Sequence, residues 1–300
     1  MLSTNFHTPV MLREVLSYLS LKPGDTIVDA TLGTAGHAKE ILERILPGGG
    51  LIGIDRDEDS LSVARERLSG SGPACKFIHG NFVDLDALLL RIGIEKVDGV
   101  LFDLGISSFQ LQDASRGFSF QNEGPLDMRM DKGSYISAYD LINNLNEEEL
   151  SNLFWNFGEE RWHGRIARIL VRERQRQPIT TTIELANIVS RSVPPRYRFR
   201  HYRIHPATRT FQAVRIAVNR ELEILDTAVN KAIAVLKKKA RVCVISFHSL
   251  EDRAVKLAFR KAQEAGIIDI LTPKPLTPGQ SEVSANPASR SSKLRVAERI

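Results

Sequence analysis

The chain has 300 residues, of which 42% are hydrophobic and 26% are charged, and its net charge is +5. These values are ordinary for a globular protein and exclude a disordered, fibrous or repeat-built chain. No apolar run has the length of a membrane span, no signal-type segment opens the sequence, and two cysteines are too few for a disulfide scaffold or a paired zinc motif. We therefore expect a cytoplasmic protein that uses neither a membrane nor a metal.

The first hundred residues alternate between strand-like and helix-like patterns. Short apolar runs at 26–31, 51–54, 76–79 and 99–102 predict four strands, and the segments between them predict helices. Such alternation predicts an α/β fold with a parallel sheet, covered by helices on both faces. An apolar run at 241–246 resumes the sheet, and residues 293–297 predict a final strand.

Between the fourth predicted strand and the strand at 241–246, the sequence predicts a long loop followed by helices. Residues 106–140 predict a long loop, and capping signals and prolines predict helices over 146–158, 161–176 and 181–193. Apolar residues spaced by threes and fours predict one long helix over 211–236. We expect a core domain formed by residues 1–110 and 209–300, and an inserted all-helical domain, residues 111–208, after the fourth strand.

The expected insertion is strongly basic. Eleven arginines and no lysine lie between Arg161 and Arg203, against two acids, Glu173 and Glu184. Arginine forms bidentate contacts with phosphate and stacks on bases. The stretch therefore favours a polyanionic partner, with an ordinary solvated helix face as the alternative.

Acidic residues and glycines follow the predicted strands, where open α/β sheets bind ligands. Asp29 precedes a loop that contains Gly33 and Gly36, and Asp55 ends the second strand, where a carboxylate can accept ribose hydroxyls. A dinucleotide fingerprint would require glycines at 35 and 38, where alanines stand, and no phosphate-binding Gly-Lys-Ser/Thr sequence is present. The pattern favours S-adenosylmethionine as cofactor, although an ordinary tight turn would use the same two glycines.

Motifs along nearly the whole chain carry a resemblance to a known family. They are residues 7–10 (HTPV), 29–37 (DATLGTAGH), 54–57 (IDRD), 103–108 (DLGISS), 116–120 (RGFSF), 124–131 (GPLDMRMD), 208–213 (TRTFQA), 215–219 (RIAVN) and 245–253 (ISFHSLEDR). The sequence resembles the ribosomal RNA small-subunit methyltransferase H family (MraW-like), whose members methylate the exocyclic N4 of a cytidine in the decoding region of 16S ribosomal RNA. The resemblance implies an S-adenosylmethionine-dependent methyltransferase with a Rossmann-like sheet, acting on small-subunit ribosomal RNA or on the small ribosomal subunit.

The resemblance also implies site residues. Carried over onto matching positions, the cofactor contacts fall at Ala35, Gly36, His37, Asp55, Phe82, Asp103 and Gln110. The family usually has glycine at the position of Ala35, so this chain departs from the pattern there. We expect the proton acceptor among Asp103, Asp127 and His248, and RNA contacts at Arg196, Arg198 and Arg200.

Two other functions fit many of the same residues. One is a methyltransferase that acts on DNA amines, and the other is a non-catalytic RNA-binding module with no dependence on Asp55. Structural interpretations also exist for single residues: a core position for Phe82, helix caps for His37 and His248, and a solvated loop for Asp127.

Overall fold

The structure is a computed structural model, and it describes residues 8–195 and 205–300. The chain divides into two compact units: one joins the residues up to Gly105 with Leu222–Ile300, and the other comprises Ile106–Glu221. Each unit has its own hydrophobic core. Within the described part of the chain, every helix is too short or too polar to cross a bilayer.

The described residues of both units form α-helices. They are α1 (Leu12–Leu19), α2 (Gly36–Ile45), α3 (Glu58–Arg67), α4 (Leu85–Arg91), α5 (Ser108–Gln112), α6 (Ala138–Asn144), α7 (Glu147–Gly158), α8 (His163–Arg174), α9 (Thr182–Ser192), α10 (Thr208–Asn219), α11 (Glu221–Val235), α12 (Ser249–Glu264) and α13 (Gln280–Ala285). Short 3-10 helices lie at Ser69–Ala74, Phe82–Asp84, Ala114–Arg116 and Pro287–Ser291.

The first unit is built on a seven-stranded sheet. Its strands are β1 (Thr26–Asp29), β2 (Gly50–Asp55), β3 (Cys75–His79), β4 (Val97–Asp103), β5 (Leu236–Ser246), β6 (Ile268–Ile270) and β7 (Lys293–Arg299). They lie in the order β3-β2-β1-β4-β5-β7-β6, with β1 to β5 parallel and β7 antiparallel to both of its neighbours. The carboxyl ends of β1, β2 and β4 therefore meet at one edge of the sheet.

Alternate side chains of the strands pack into two hydrophobic clusters, one on each face of the sheet. Ile27 and Leu101 belong to the cluster that includes α1, α2 and α3, whereas Val28 and Val100 belong to the cluster that includes α4, α11 and α12. Because both faces are covered, the strands are apolar throughout rather than alternating in sequence. This arrangement confirms the predicted α/β sheet.

The two cysteines, Cys75 and Cys243, are free thiols buried in the sheet unit. Burial raises the pKa of each thiol to about 12. Both therefore remain protonated at neutral pH and behave as small apolar residues.

Two elements of the sheet unit have no clear signal in the sequence. Strand β6 has only three residues, which is too short for a periodic pattern. Helix α13 lies within residues 271–286, a stretch rich in proline and polar residues that shows no helical periodicity. Its Glu282 Oε1 accepts a hydrogen bond from the Met11 N–H (2.6 Å), and the Asn286 side chain donates to the carbonyl of Thr8 (2.9 Å). Contacts with a segment more than 270 residues away thus hold this part of the chain.

The described elements of the second unit are all helices. Leu150 and Phe154 of α7, Ile166 of α8, Leu185 of α9 and Phe211 of α10 pack together in its core. The predicted caps are present: the Asn146 side chain accepts from the N–H of residue 149 at the start of α7, and the Thr181 side chain does the same for residue 184 before α9.

Most of the long loop predicted over 106–140 is irregular but firmly held. The buried Arg116 guanidinium donates to the carbonyls of Arg129 (3.0 Å) and Met130 (2.9 Å). The Met130 N–H donates to Asn219 Oδ1, and Asn219 Nδ2 donates to the carbonyl of Met128, both at 2.8 Å. A guanidinium and an amide thus clamp the backbone of residues 128–130.

The long helix predicted over 211–236 is wrong, because the chain forms two helices there. Arg220, with a φ of 53°, separates α10 from α11. Helix α10 packs against α7, whereas Leu225 and Val229 of α11 belong to a cluster of the sheet unit. The apolar stripe is continuous in sequence but serves two different cores.

The second unit is also longer than the insertion predicted over 111–208. It begins at Ile106 and ends at Glu221, so that it includes α5 and α10. Sequence motifs 208–213 and 215–219 both lie on α10 and therefore in this unit rather than in the sheet unit.

We expect Asn219→Ala to lower the free energy of unfolding by about 2–3 kcal/mol, because it leaves a buried N–H and a buried carbonyl without their partner. Urea unfolding followed by tryptophan fluorescence measures the effect, since both tryptophans of the chain, Trp155 and Trp162, lie in the second unit. Asn152→Ala on the exposed side of α7 is the matched control and should change stability by less than about 0.5 kcal/mol. Equal midpoints for the two variants would show that the clamp does not stabilise the fold.

Candidate functional site

Three carboxylates lie where neighbouring parallel strands end. Asp29 ends β1, Asp55 ends β2 and Asp103 ends β4. The three groups are close enough for the charges of Asp55 and Asp103 to act on Asp29. The edge of the sheet that the sequence predicts as the ligand site thus carries a buried acidic cluster.

Asp55 holds the glycine-containing loop that follows β1. Its Oδ2 accepts a hydrogen bond from the N–H of Gly33 (2.7 Å), and its Oδ1 accepts one from the N–H of Asp57 (2.9 Å). Arg67 supports the same loop by donating to the carbonyl of Thr34 (3.0 Å). A carboxylate has about four lone-pair positions, so Asp55 can order this loop and still accept ribose hydroxyls.

The backbone conformation at Ala35 explains why the family usually has glycine at this position. Its backbone is left-handed, with φ 62° and ψ 38°, immediately before α2. This conformation costs a residue with a Cβ about 1–2 kcal/mol. The methyl group is fully buried in the cluster of α1, α2 and α3, and that packing offsets part of the cost.

His37 links the amino-terminal segment to Asp103. Its Nε2 lies 2.9 Å from the carbonyl oxygen of Val10, and its Nδ1 lies 3.5 Å from Asp103 Oδ2. Because a carbonyl only accepts, Nε2 carries the hydrogen. Burial lowers the pKa of His37, so Nδ1 keeps its lone pair and faces the carboxyl group. We therefore interpret the contact as one between a neutral imidazole and a carboxylic acid rather than as an ion pair.

Asp103 is half-buried, and its N–H donates to Thr31 Oγ1 (2.6 Å). Its Oδ1 is shielded from solvent and has no hydrogen-bond partner among the described residues. Burial, together with the charge of Glu251, raises the pKa of Asp103 to about 7. Burial also raises the pKa of Asp29 to about 7 and that of Asp55 to about 6.

This acidic cluster fits S-adenosylmethionine. The sulfonium and the α-ammonium group of that molecule are cations, and they would compensate the charge of the three clustered carboxylates. Ribose hydroxyls would suit Asp55, and the loop at 33–36 lets the backbone approach a ligand. A phosphate-bearing cofactor would be repelled by the same three carboxylates.

The whole chain matches known methyltransferases in sequence. Residues 4–300 match the model of the MraW methylase family. Curated relatives with the name ribosomal RNA small subunit methyltransferase H are 48% identical in Geobacter sp. (strain M21), 48% in Pelobacter propionicus and 43% in Clostridioides difficile. Each alignment covers 98% of this chain, and it covers 98%, 98% and 99% of the respective relative. The chain belongs to the MraW methylase family.

Membership of the MraW methylase family makes the chain a methyltransferase with S-adenosylmethionine as its cofactor, as predicted. The alternative of a non-catalytic RNA-binding module is thereby excluded. The solved structure of an rRNA methylase from Streptococcus thermophilus aligns with a TM-score of 0.45 and 11% identity over 96% of this chain and 95% of its own. That structural likeness is weak, and the family assignment rests on the sequence matches.

Two further residues predicted to bind the cofactor already have structural roles. Phe82 follows β3 and packs edge to face on Phe102, with ring centroids 5.6 Å apart. Gln110 lies in the second unit, where its Oε1 accepts from the N–H of Ser107 (3.0 Å) and completes the cap of α5. Their contact with the cofactor stays a prediction.

Two of the three candidate proton acceptors are engaged by neighbours. Asp127, in the second unit, forms a two-point ion pair with Arg129 at 2.8 Å for each contact; burial alone would raise the pKa of Asp127, but these hydrogen bonds lower it. His248 caps α12: its Nδ1 accepts from the N–H of Glu251 (3.3 Å), and its Nε2 lies 3.2 Å from Glu251 Oε1 without hydrogen-bond geometry. Because Nδ1 of His248 accepts, Nε2 of the neutral ring carries the hydrogen and offers no lone pair to a proton. Asp103 Oδ1 is a shielded carboxylate oxygen without a partner among the described residues, whereas Arg129 engages both oxygens of Asp127.

Two residues that act on Asp103 carry no signal of that role in the sequence. Thr31 lies within the motif 29–37, and Glu251 lies within the motif 245–253. Both influence Asp103 through tertiary contacts, which no local pattern records. The predicted RNA contacts Arg196, Arg198 and Arg200 lie outside the described residues.

We expect the affinity for S-adenosylmethionine to rise with pH between about 5 and 8, and binding to release protons in that range. The pKa values of Asp55 and Asp103 are raised to about 6 and about 7, and a cationic ligand favours the ionised carboxylates, so protons leave when it binds. Calorimetry at about pH 6 and about pH 8, in buffers of different ionisation enthalpy, measures both quantities.

S-adenosylhomocysteine is the control for this pH experiment, because it lacks the sulfonium charge. It should release fewer protons than S-adenosylmethionine at the lower pH. An affinity that is the same at both pH values for both ligands would contradict the raised pKa values.

Proposed function

We propose that this chain transfers the methyl group of S-adenosylmethionine to the exocyclic N4 of a cytidine in the decoding region of small-subunit (16S) ribosomal RNA. The observation that carries the proposal is identity of 43–48% over the full length of relatives named ribosomal RNA small subunit methyltransferase H. The substrate is the ribosomal RNA, free or within the small ribosomal subunit, which places the enzyme in the cytoplasm.

The acceptor atom sets the chemical requirements. The lone pair of the N4 amine is delocalised into the cytosine ring, so the amine is a poor nucleophile. Bound S-adenosylmethionine supplies a strongly electrophilic methyl carbon on a cationic sulfur. The protein must align the amine with that carbon, an effect worth about 7–11 kcal/mol, and it must accept the proton that the amine loses. The cytosine must also leave its stack to enter a cleft.

We assign cofactor binding to the loop after β1 and to Asp55, whose link through Gly33 keeps the loop in one conformation. The full set of proposed cofactor contacts is Ala35, Gly36, His37, Asp55, Phe82, Asp103 and Gln110. Asp55 would accept the ribose hydroxyls, and the left-handed backbone at 35 turns the chain into α2.

We assign the role of proton acceptor to Asp103. Its Oδ1 is shielded from solvent without a partner among the described residues, and the positive charge of bound S-adenosylmethionine would favour the ionised form that a proton acceptor needs. In the ionised state Oδ1 can accept a hydrogen bond from the N4 amine and then take the proton. His37 Nδ1 lies 3.5 Å from the other oxygen, Oδ2.

Asp55→Ala should weaken the binding of S-adenosylmethionine by about 1.5–3 kcal/mol, the range for losing hydrogen bonds to a charged group. The loss has two sources, the ribose contacts and the release of the Gly33 loop. Calorimetry measures the affinity, and Asp269→Ala on the exposed edge of β6 is the matched control. If a folded Asp55→Ala protein binds as tightly as the control, Asp55 does not belong to the site.

Asp103→Ala should reduce turnover by at least about a hundredfold at saturating S-adenosylmethionine, the low end of general acid–base effects. Saturation removes a pure defect in cofactor affinity, so the remaining loss reports on the proton acceptor. Full turnover of Asp103→Ala under these conditions would restrict Asp103 to cofactor binding and make Asp127 and His248 the next candidates.

Nucleoside analysis of labelled products tests the proposed function as a whole. Small ribosomal subunits, protein-free ribosomal RNA and DNA are offered separately with labelled S-adenosylmethionine. We expect N4-methylcytidine from the ribosomal substrates. C5-methylcytidine, a methylated purine or a product from DNA alone would refute the proposal.

A further inference from the structure

The arginines around α8 differ in the direction in which they point. Ile166, Ala167 and Leu170 form the buried side of this helix. Arg174 points inward, donating to the carbonyls of residues 142 and 145, and thus belongs to the fold. The exposed arginines lie on the opposite side, in the helix or in the turn before it: Arg161, Arg165, Arg168 and Arg172.

An exposed tryptophan of α7 lies at one end of this row. The Trp155 side chain is 55% exposed, and its ring centroid is 5.2 Å from that of His163, the first residue of α8. The two helices run antiparallel. Ser151 Oγ of α7 also lies 2.7 Å from His163 Nδ1, and Glu147, at the start of α7, lies 3.2 Å from Arg168 of α8. We call the surface formed by Trp155, Arg161, Arg165, Arg168 and Arg172 the hairpin face.

The ion pairs on the hairpin face are exposed and therefore weak. Arg168 pairs with Glu147 (3.2 Å) and Arg172 pairs with Glu173 (3.4 Å), but the two guanidinium side chains remain 76% and 67% exposed. Exposed ion pairs of this kind contribute about 0–1 kcal/mol. A phosphate, which arginine binds in a bidentate manner, can therefore replace either carboxylate at small cost.

The geometry of the row suits an extended nucleic-acid strand. Its positions are three or four residues apart, so the charges lie on one side of the helix at intervals of about 5 Å along its axis. The indole at the end of the row offers a flat apolar surface, and stacking a base on such a surface contributes about 1–3 kcal/mol. Cations along a backbone path, with an aromatic platform beside them, are the usual elements of a site for single-stranded nucleic acid.

We propose that the hairpin face binds a single-stranded segment of the RNA substrate, with the arginines on consecutive phosphates and one base stacked on Trp155. The inference rests on the proposed function and adds the surface through which the second unit holds the RNA. It also distinguishes these residues from Arg174, which lies in the same basic stretch but is committed to the fold.

Three triple variants with equal change of charge test the arginines. The first replaces Arg161, Arg165 and Arg168 with glutamine, the second replaces Arg196, Arg198 and Arg200, and the control replaces the exposed Arg13, Arg91 and Arg260 of the sheet unit. Filter binding of protein-free small-subunit ribosomal RNA over a series of salt concentrations gives the slope of log affinity against log salt. We expect the first variant to reduce the slope by about 2, since each contact with a single strand contributes about 0.7, and the control to leave the slope unchanged.

Single substitutions at Trp155 test the stacking surface. Trp155→Ala should weaken RNA binding about five- to a hundredfold at fixed salt without changing the slope, whereas Trp155→Phe should retain most of the affinity. Circular dichroism and calorimetry with S-adenosylmethionine establish that each variant is folded and that its sheet unit is intact.

The outcomes separate this inference from the proposed function. If the unaltered protein produces no N4-methylcytidine, the proposed function fails, whatever the variants do. If it does produce N4-methylcytidine but the first triple variant has the slope of the control, the hairpin face does not bind RNA. A defect of that variant on small ribosomal subunits, with normal binding of protein-free RNA, would mean that the face meets a ribosomal protein and would equally overturn the inference.

Discussion

The clustering of three partly or fully buried carboxyl groups at the ends of adjacent parallel strands is the constraint on which the candidate site depends. Asp29, Asp55 and Asp103 lie at an edge where the sheet topology leaves them near one another, and burial raises the pKa of all three. Charge in such a place is costly unless a counter-charge arrives. In the proposed site a cationic cofactor would supply it, so this acidic cluster favours S-adenosylmethionine over a phosphate-bearing nucleotide.

The loop after β1 and the three carboxylates at the strand ends hold each other in place. Asp55 orders the loop through Gly33, Thr31 of the same loop region holds the backbone of Asp103, and His37 at the start of α2 faces the Asp103 carboxyl group. The amino-terminal segment completes this set of contacts, because the Val10 carbonyl accepts a hydrogen bond from the His37 imidazole. Each element of the site is thus positioned by a residue from another strand or loop.

In one segment of the second unit, residues 124–131, polar side chains take the place of regular backbone hydrogen bonding. The segment 124–131 has no helix or strand, yet Arg116 and Asn219 take up its backbone groups. Arg129 pairs with Asp127 and also donates to the carbonyls of Lys132 (3.1 Å) and Ser134 (2.7 Å), which holds the loop that follows. The acidic and basic residues of this motif are therefore sufficient to explain a rigid loop, and their presence alone does not indicate catalysis.

The sequence by itself determined the alternating strands, the glycine loop, the acids at the strand ends and the helix caps at Asn146 and Thr181, because each depends on residues that are neighbours along the chain. It also determined the family, since long motifs extend over nearly all of it. Only the tertiary structure decided which polar residues meet. No local pattern could show that Thr31 and Glu251 act on Asp103, that Arg174 points inward while Arg165 and Arg168 point outward, or that one apolar stripe is divided at Arg220 between two cores. Hydrogen bonds and burial join residues that are distant in sequence, and a periodic pattern records only that a side is apolar, not which core covers it.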